Sequence, residues 1–259
     1  MLELCVLSSG SKGNAIYVGD GATAILVDDG LSCKELERRM AAAGLDPGRI
    51  SALCLTHEHV DHLRGVRVLK KKRPDLALYC NAPTHEGMLA AADRALAWTH
   101  FLDCRPFGIG TLTVTPFPVP HDAAATVGFT VESGGTKVAL ATDLGEPTPT
   151  VEAYLAGSDA IVLESNHDEY MLAMCNRPWM TKQRIKGRSG HLSNDQAAEL
   201  LSAVDTGRTR EVFLAHVSDE CNTPDEVLET IGRALAKAGK KLSLRLTCAA
   251  SATALYRFG

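Results

Sequence analysis

The sequence lacks the features that mark several large classes of protein. None of its apolar runs reaches the roughly 18 residues that a membrane-spanning helix needs. The stretch Met1–Leu7 has no basic segment, so we expect a strand there and no secretory signal peptide. The formal net charge is −4, which argues against a generally basic nucleic-acid-binding protein but leaves room for a local basic groove.

The cysteines also lack a paired motif. The chain has eight of them, none in a Cys-x-x-Cys arrangement, and several stand in apolar runs, where a free thiol behaves as a small apolar side chain. Disulfide frameworks are typical of short secreted chains, and this chain is neither short nor signal-bearing. We therefore expect free thiols and a cytoplasmic protein.

What the sequence does have is an ordinary globular composition, with 45% hydrophobic and 22% charged residues in a chain of 259. Short apolar runs typical of strands alternate with segments typical of amphipathic helices, and the connections are short. This alternation predicts an α/β fold in one domain over residues 1–259. Helices are expected over residues 63–73, 84–98 and 146–156.

The densest group of potential ligands is the hexapeptide His57–His62, with three histidines, a glutamate and an aspartate. It follows the apolar run 50–56, and the carboxyl end of a buried strand is where open α/β sheets place their chemistry. In an extended backbone, side chains two apart face the same way, so His57, His59 and Asp61 can converge. This density of imidazoles and carboxylates indicates a divalent-metal site, and His62, pointing elsewhere, suits a second ion.

Three more candidate ligands stand directly after β-type apolar runs: His121, Asp143 and His216. Taken singly, a histidine after a strand is more often a structural residue. Four such sites in one chain, one of them the hexapeptide, favour a metal centre at one edge of the sheets.

The order and spacing of these four sites resemble the metallo-β-lactamase superfamily of binuclear metallohydrolases. The resemblance implies the αββα sandwich of that superfamily, two mixed β-sheets flanked by helices. It also implies two ligand sets joined by a bridging carboxylate: His57, His59 and His121; Asp61, His62 and His216; and Asp143 between them.

The chemistry of this ligand set agrees with the resemblance. Imidazoles and a bridging carboxylate suit two divalent ions, Zn²⁺ or Mn²⁺, and Fe²⁺ also fits. A hydroxide between the ions would be the nucleophile, because coordination lowers the pKa of water from 15.7 towards about 7. Catalytic roles would then fall to Asp61 and Asp143. We expect Asp28 to hold the loop backbone or a ligand histidine.

Further segments resemble the YycJ/WalJ branch of the superfamily, over nearly the whole chain: residues 8–14, 27–32, 120–123, 164–168, 190–194 and 216–218. Members of that branch are regarded as metal-dependent nucleases with 5′-to-3′ exonuclease activity on double-stranded DNA. The resemblance therefore implies a nuclease with DNA as its partner. Where the branch usually has paired asparagines, this chain has Cys221 before Asn222.

The small loop at residues 8–14 is a candidate for phosphate binding through Ser11, Lys12 and Asn14. Such a loop lets backbone N–H groups approach an anion closely. Composition alone slightly favours a plain hairpin turn.

A second candidate for phosphate binding is the alternating run Lys182, Arg184, Lys186 and Arg188, which in an extended backbone would present four cations along one face. It leads to His191, which we expect to contact a phosphate and to take part in catalysis. A solvated basic loop explains the run equally well. Because only 5% of residues are aromatic, contact with a duplex backbone fits better than stacking of single-stranded bases.

Other functions remain open for the same ligands. The metal pair could hydrolyse a small ester, thioester or lactam, although a β-lactamase usually carries an export signal. A catalytically idle binding protein is disfavoured by the seven candidate ligands. A diiron redox centre would ordinarily accompany a flavin domain, for which the chain has no room. A binuclear metal-dependent phosphodiesterase is the expected function.

Overall fold

The strands of the protein form two sheets of seven strands each in the computed structural model, which describes residues 1–205 and 207–259. In chain order they are β1 (Leu2–Ser8), β2 (Ala15–Gly19), β3 (Ala24–Val27), β4 (Ile50–Cys54), β5 (Ala77–Cys80), β6 (Trp98–His100), β7 (Phe107–Ile109), β8 (Leu112–Pro118), β9 (Val127–Ser133), β10 (Thr136–Ala141), β11 (Ala160–Glu164), β12 (Glu211–Ala215), β13 (Ser243–Leu246) and β14 (Tyr256–Phe258).

The helices lie between these strands. They are α1 (Cys33–Ala42), α2 (Val60–Leu63), α3 (Val66–Lys72), α4 (Ala82–Gly87), α5 (Ala91–Arg94), α6 (Pro149–Leu155), α7 (Glu169–Met174), α8 (Trp179–Lys186), α9 (Asn194–Val204) and α10 (Pro224–Lys237), with a short 3₁₀ helix at Pro47–Arg49. Over the two described ranges, no helix is both long enough and apolar enough to cross a bilayer.

Each sheet is mixed. The first has the lateral order β14-β1-β2-β3-β4-β5-β6, antiparallel from β14 to β3 and parallel from β3 to β6. The second has the order β13-β12-β11-β10-β9-β8-β7, antiparallel from β7 to β10 and parallel from β10 to β13. The parallel parts bring the carboxyl ends of neighbouring strands to one edge, where loops can meet.

The two sheets pack face to face and helices cover their outer faces. One apolar cluster joins the inner faces, with Val18 of the first sheet and Phe129 of the second among its buried members. A second cluster joins the first sheet to α1 and α3, and a third joins the second sheet to α6, α9 and α10. Since alternate strand residues face opposite sides, strands this apolar must be covered on both faces. The expected αββα sandwich is confirmed, while a single domain over residues 1–259 stays a prediction.

Three expected helices are wrong in extent. The segment expected to be helical over 84–98 forms α4, α5 and the strand β6, because Pro83 in the first turn starts α4 and the helix ends at Gly87. The segment 63–73 is divided between α2 and α3 at Gly65, whose N–H donates to the Asp29 carbonyl. The helix expected over 146–156 begins only at Pro149, capped by the Thr148 hydroxyl.

Candidate metal centre

Five strands deliver polar side chains to one edge of the sandwich. The hexapeptide His57–His62 follows β4, and the other polar residues follow or end strands of the second sheet: His121 after β8, Asp143 after β10, Glu164 at the end of β11 and His216 after β12. The parallel pairing of β10, β11 and β12 places the last three side by side. The structure thus brings together positions up to 159 residues apart (216 − 57) along the chain.

The first ligand set predicted from the sequence is assembled. His57, His59 and His121 each offer a ring nitrogen within 4.8 Å of the others. The His57 ring centroid lies 4.6 Å from that of His59 and 5.2 Å from that of His121. Three imidazoles facing one point form a ligand group that suits zinc, manganese or iron.

Asp143 lies between this set and the rest of the site. Its Oδ2 is 3.2 Å from His62 Nε2, and its Oδ1 is 3.2 Å from His216 Nδ1. It belongs to two further groups of potential ligands, one with His57 and His62, the other with Glu164, His191 and His216. This shared position is the one a bridging carboxylate would occupy.

The second predicted ligand set is grouped differently from the expectation. Asp61, His62 and His216 do not form one group: His62 lies with His57 and Asp143, and the His62 and His216 ring centroids are 6.5 Å apart. Asp61 Oδ2 is 3.6 Å from His62 Nε2 and belongs to none of the ligand groups found among the described residues. Asp61 borders the site without joining the ligand groups.

Asp28 supports the hexapeptide as expected. Its carboxylate is 2% exposed and accepts hydrogen bonds from the Thr56 N–H at 2.8 Å and from His62 Nδ1 at 2.7 Å. The Thr56 hydroxyl also donates to Asp28 and lies 3.0 Å from His57 Nδ1. Because Nδ1 of both rings is held, a metal would have to bind Nε2. At His57 this atom has no hydrogen-bond partner among the described residues, and at His62 the Asn14 amide nitrogen lies 3.0 Å from it.

Glu164 plays the same part for the second sheet, and sequence reasoning missed it. The fully buried carboxylate accepts from His216 Nδ1 at 2.7 Å and from His191 Nδ1 at 2.8 Å. It also accepts from the Leu144 N–H at 2.7 Å. Its one signal in the sequence is its position as a carboxylate at the end of an apolar run, and no ligand spacing accompanies that position.

The backbone is strained where the strands deliver these groups. Asp28, Asp143 and His216 have φ angles of 61°, 54° and 54°, in the left-handed region. This conformation costs a non-glycine residue roughly 1–2 kcal/mol, and such strain is concentrated at functional sites. At Gly30 the chain passes so close that an added Cβ would lie 1.7 Å from the Asp61 carbonyl oxygen. Only glycine fits there.

The charges at the site are strongly coupled. Burial opposes ionisation of Asp143, but the His216 and His62 imidazoles outweigh it and hold the pKa of Asp143 well below its usual value. Burial also opposes the charge on His216, yet Asp143 and Glu164 raise its pKa to about 9. Burial, with the adjacent His62, lowers the pKa of His57 well below its usual value. An anionic carboxylate and a neutral imidazole are the forms that bind a cation, whereas a cation at His216 must displace a proton.

The residues present fit divalent ions. Within the described part of the chain, the buried His57 Nε2 and His216 Nε2 have no hydrogen-bond partner, and Asp143 Oδ2 approaches His62 without hydrogen-bond geometry. Buried polar atoms are costly unless something satisfies them. Since all three atoms belong to ligand types that divalent metals prefer, cations explain why they stay unpaired.

We call His57, His59, His62, His121, Asp143 and His216 the ligand cluster. Four of them, His59, His121, Asp143 and His216, line a cavity of about 300 Å³. Ser11, Asn166, Arg177, Arg184, His191 and Ser218 also line this cavity. A larger groove of about 580 Å³ shares His59, Asp61 and Arg184 with it and has the apolar Val60 and Leu89 on its surface. The two together offer room for a substrate larger than the reacting group.

The three residues proposed from the loop at 8–14 have different positions. Ser11 lines the cavity. Lys12 is exposed and pairs with Asp219 at 2.8 Å. Asn14 is 2% exposed, and its side-chain nitrogen lies 3.0 Å from His62 Nε2 and 3.4 Å from Asp61 Oδ2. Asn14 therefore supports ligand residues, and its role in substrate binding stays a prediction. The loop itself joins β1 to β2 as a hairpin.

The alternating cations at 182–188 are not on one extended face, so that expectation is wrong. Lys182, Arg184 and Lys186 lie in α8, in which residues two apart are about 200° apart around the axis, and Arg188 lies beyond the end of that helix. Lys182 donates to the Ala173 carbonyl, while Arg184, Lys186 and Arg188 pair with acidic residues, respectively Asp122, Glu169 and Glu146. We call these four residues and Arg177 the basic rim.

The family model described as a beta-lactamase superfamily domain matches residues 23–217. The chain is 36% identical over 242 residues to exodeoxyribonuclease YycJ of Bacillus anthracis, covering 92% of this chain and 90% of that protein. It is 32% identical over 239 residues to exodeoxyribonuclease WalJ of Streptococcus pneumoniae strain D39, covering 90% of this chain and 88% of that protein.

Among solved structures, the metallo-β-lactamase fold protein YhfI from Bacillus subtilis superposes with a TM-score of 0.72. That match covers 98% of this chain and 99% of YhfI at 14% identity, so it speaks for the fold alone.

Proposed function

The chain belongs to the metallo-β-lactamase superfamily, in the branch of exodeoxyribonucleases YycJ and WalJ, and we propose that it is a binuclear metal-dependent exonuclease that degrades double-stranded DNA from the 5′ end. The observation that carries the proposal is the convergence of the ligand cluster on a cavity that Arg177 and Arg184 also line. A cation site beside fixed positive side chains suits an anionic substrate such as a phosphodiester.

The ligand assignment is part of this proposal. His57, His59 and His121 would hold one ion, and His62 and His216 would contribute to the second, with Asp143 shared and Asp61 at its border. When bound, such ions supply Lewis acidity, polarising a phosphoryl oxygen and making water a better nucleophile.

His191 is the residue we propose for proton transfer and phosphate contact. Its ring lines the cavity, and its Nδ1 lies 2.8 Å from Glu164, which fixes the ring orientation. Its Nε2 is then the atom available to a phosphoryl or leaving oxygen. The same Glu164 oxygen holds His216, so one buried carboxylate orients a ligand and a proton donor together.

The basic rim would bind the phosphates that flank the scissile bond. Arg184 lines both the cavity and the neighbouring groove, so it stands where the substrate would pass between them. Its partner Asp122 is a surface carboxylate, and exposed ion pairs are worth little, so a phosphate can replace it. Ser11 and Lys12 lie in the loop that joins β1 to β2 and would contact the same DNA backbone.

The test uses matched DNA substrates with each metal added in turn. The protein is incubated with Mn²⁺ or Zn²⁺ and one substrate at a time. The substrates are linear duplexes labelled at either the 5′ or the 3′ end, a covalently closed circular duplex, and single strands of DNA and RNA. We expect early release of the 5′ label as short products, slow loss of the 3′ label and no cut in the circle. The Asp143→Asn variant is the control for contaminating nuclease.

Each of the following results would contradict all or part of the proposal. Turnover of a chromogenic thioester without cleavage of any nucleic acid would favour a small-ester hydrolase. Absence of both activities in a metal-loaded protein would favour the idle binding protein. Cleavage of the circle, or of RNA alone, would overturn the exonuclease or the DNA assignment while leaving a metal-dependent nuclease.

A further inference from the structure

Two cysteines far apart in sequence lie in contact beside the site. The Sγ atoms of Cys175 and Cys221 are 3.3 Å apart, although the residues are 46 positions apart in the chain. Cys221 is buried with Leu172 and Ile185, whereas Cys175 is partly exposed after the end of α7. A disulfide needs a separation of about 2.05 Å, so the sulfurs have to move by little more than 1 Å.

The backbone around the pair is already fixed. The Asp168 N–H, at the start of α7, donates to the Cys221 carbonyl at 2.9 Å. Arg177, two residues after Cys175, pairs with Glu220 at 2.9 Å. These contacts tie the Cys221 loop to both ends of the Cys175 segment, so a covalent bond between the sulfurs would keep the fold.

The two thiols differ in the way that disulfide formation requires. Burial opposes ionisation of Cys175, but the Arg177 N–H, the Cys221 thiol and the charge of Lys182 outweigh it and lower its pKa. Burial and the adjacent Cys175 raise the pKa of Cys221 to about 11. The partly exposed Cys175 is therefore the nucleophile, and Cys221 is the thiol that resolves the intermediate.

We propose that Cys175 and Cys221 are a redox modification site that closes to a disulfide on reaction with a hydroperoxide. The Cys175 sulfur attacks the peroxide, the O–O bond breaks, and a sulfenic acid forms as water or an alcohol leaves. The Cys221 sulfur then attacks the Cys175 sulfur, forming the S–S bond while the hydroxyl leaves as water with the Cys221 proton. Two thiols lose two electrons, the hydroperoxide gains them, and a thiol reductant reverses the change.

The other thiols provide the contrast. Burial raises the pKa of Cys5 to about 11 and that of Cys80 to about 12, so these are poor nucleophiles. Cys248 is exposed. Partial desolvation opposes its ionisation, but hydrogen bonds from Ser251 and the neighbouring backbone outweigh this and lower its pKa. In the described part of the chain its side chain contacts the oxygens of Ser251, so we expect Cys248 to oxidise without closing an intramolecular disulfide.

The disulfide would act on the cavity wall. Arg177 follows Cys175 and Ser218 precedes Cys221, and both line the cavity. Cross-linking joins these two segments covalently and limits how far they can separate. The inference does not depend on the proposed nuclease activity, because the thiols themselves are the measurement.

The test treats the intact protein with hydrogen peroxide, blocks remaining thiols with an alkylating agent and analyses a non-reducing digest by mass spectrometry. We expect a peptide pair linked through Cys175 and Cys221, lost on dithiothreitol treatment, and an unfolding temperature raised by several degrees. Cys175→Ser should abolish the linked pair, whereas Cys248→Ser should leave it at the wild-type level.

Two results would overturn the inference. One is a Cys175 sulfinic acid with the Cys221 thiol still free to alkylate. The other is retention of both thiols at peroxide levels that oxidise Cys248. Both are read from the wild-type protein, so a folding defect in a variant cannot hide them.

Discussion

The ligand cluster and the basic rim lie on the same cavity but are held in opposite ways. In the cluster, buried Asp28 and Glu164 each accept several hydrogen bonds at 2.7–3.2 Å, and each orients a histidine through Nδ1. In the rim, four cations each rest on one acidic partner, as Arg188 does on Glu146, and Lys182 rests on a backbone carbonyl. The cluster is preorganised, whereas the rim can change partners.

This difference suits two tasks. Metal ligands must stay within a fraction of an ångström of one geometry, which demands buried supports with no alternative partner. Contacts with a polymer backbone must form and break at each step, which exposed and replaceable ion pairs allow. We therefore expect cluster variants to lose metal and activity together, and rim variants to change substrate affinity alone.

The largest effect is expected for Asp143→Asn. The change removes the carboxylate charge that lies 3.2 Å from both His62 and His216. Since losing an outer support alone costs roughly 10- to 100-fold, losing this shared group should lower metal affinity and turnover by at least about 100-fold. Metal titration and nuclease rates measure both. Wild-type metal affinity in this variant would remove Asp143 from the centre.

A smaller loss is expected for Glu164→Gln, which keeps the shape but leaves one acceptor oxygen. If that oxygen faces His191 and His216, the NH₂ group meets the Leu144 N–H, and if the amide is turned over, both histidines lose their acceptor. Turnover should fall by roughly 10- to 100-fold, with weaker metal binding. Glu146→Gln is the matched control, since Glu146 pairs with Arg188 in the rim. Equal effects of the two substitutions on metal affinity would erase the proposed distinction between cluster and rim.

The smallest effect is expected for Arg184→Ala. Loss of one phosphate contact should raise KM several-fold and reduce the slope of log affinity against log salt by about 0.9, with metal content unchanged. Arg233→Ala is the control, because Arg233 forms a comparable exposed pair with Glu229 on α10. An unchanged salt slope in the Arg184 variant would show that the rim does not touch DNA.

Sequence reasoning located the cluster but misjudged the rim, for physical reasons. His57, His121, Asp143 and His216 could be found because each follows a buried strand, and strand ends are fixed by apolar pattern. The family resemblance supplied the sandwich that brings them together. His62 and Asp61 are grouped differently from the expectation because both lie in α2. A helix of four residues is too short to be recognised from the pattern of apolar residues.

The prediction for the rim failed because alternation of charge along the sequence does not determine the backbone conformation. Lys182 and Arg184 lie two apart, which suits a strand face, yet the segment is helical and its one buried residue is Ile185. Glu164 was overlooked because a glutamate at the end of a strand has no spacing rule of its own. Its role became visible only when β11 placed it between His191 and His216.

The most direct test of the central claim is the number of divalent ions bound per chain. The wild-type protein, reconstituted with Zn²⁺ or Mn²⁺ and freed of excess metal, should contain two ions by elemental analysis. His57→Ala and His216→Ala should each lower that number, because they come from opposite sides of Asp143. A wild-type protein that binds at most one ion, or variants that retain two, would contradict a binuclear centre built from these side chains.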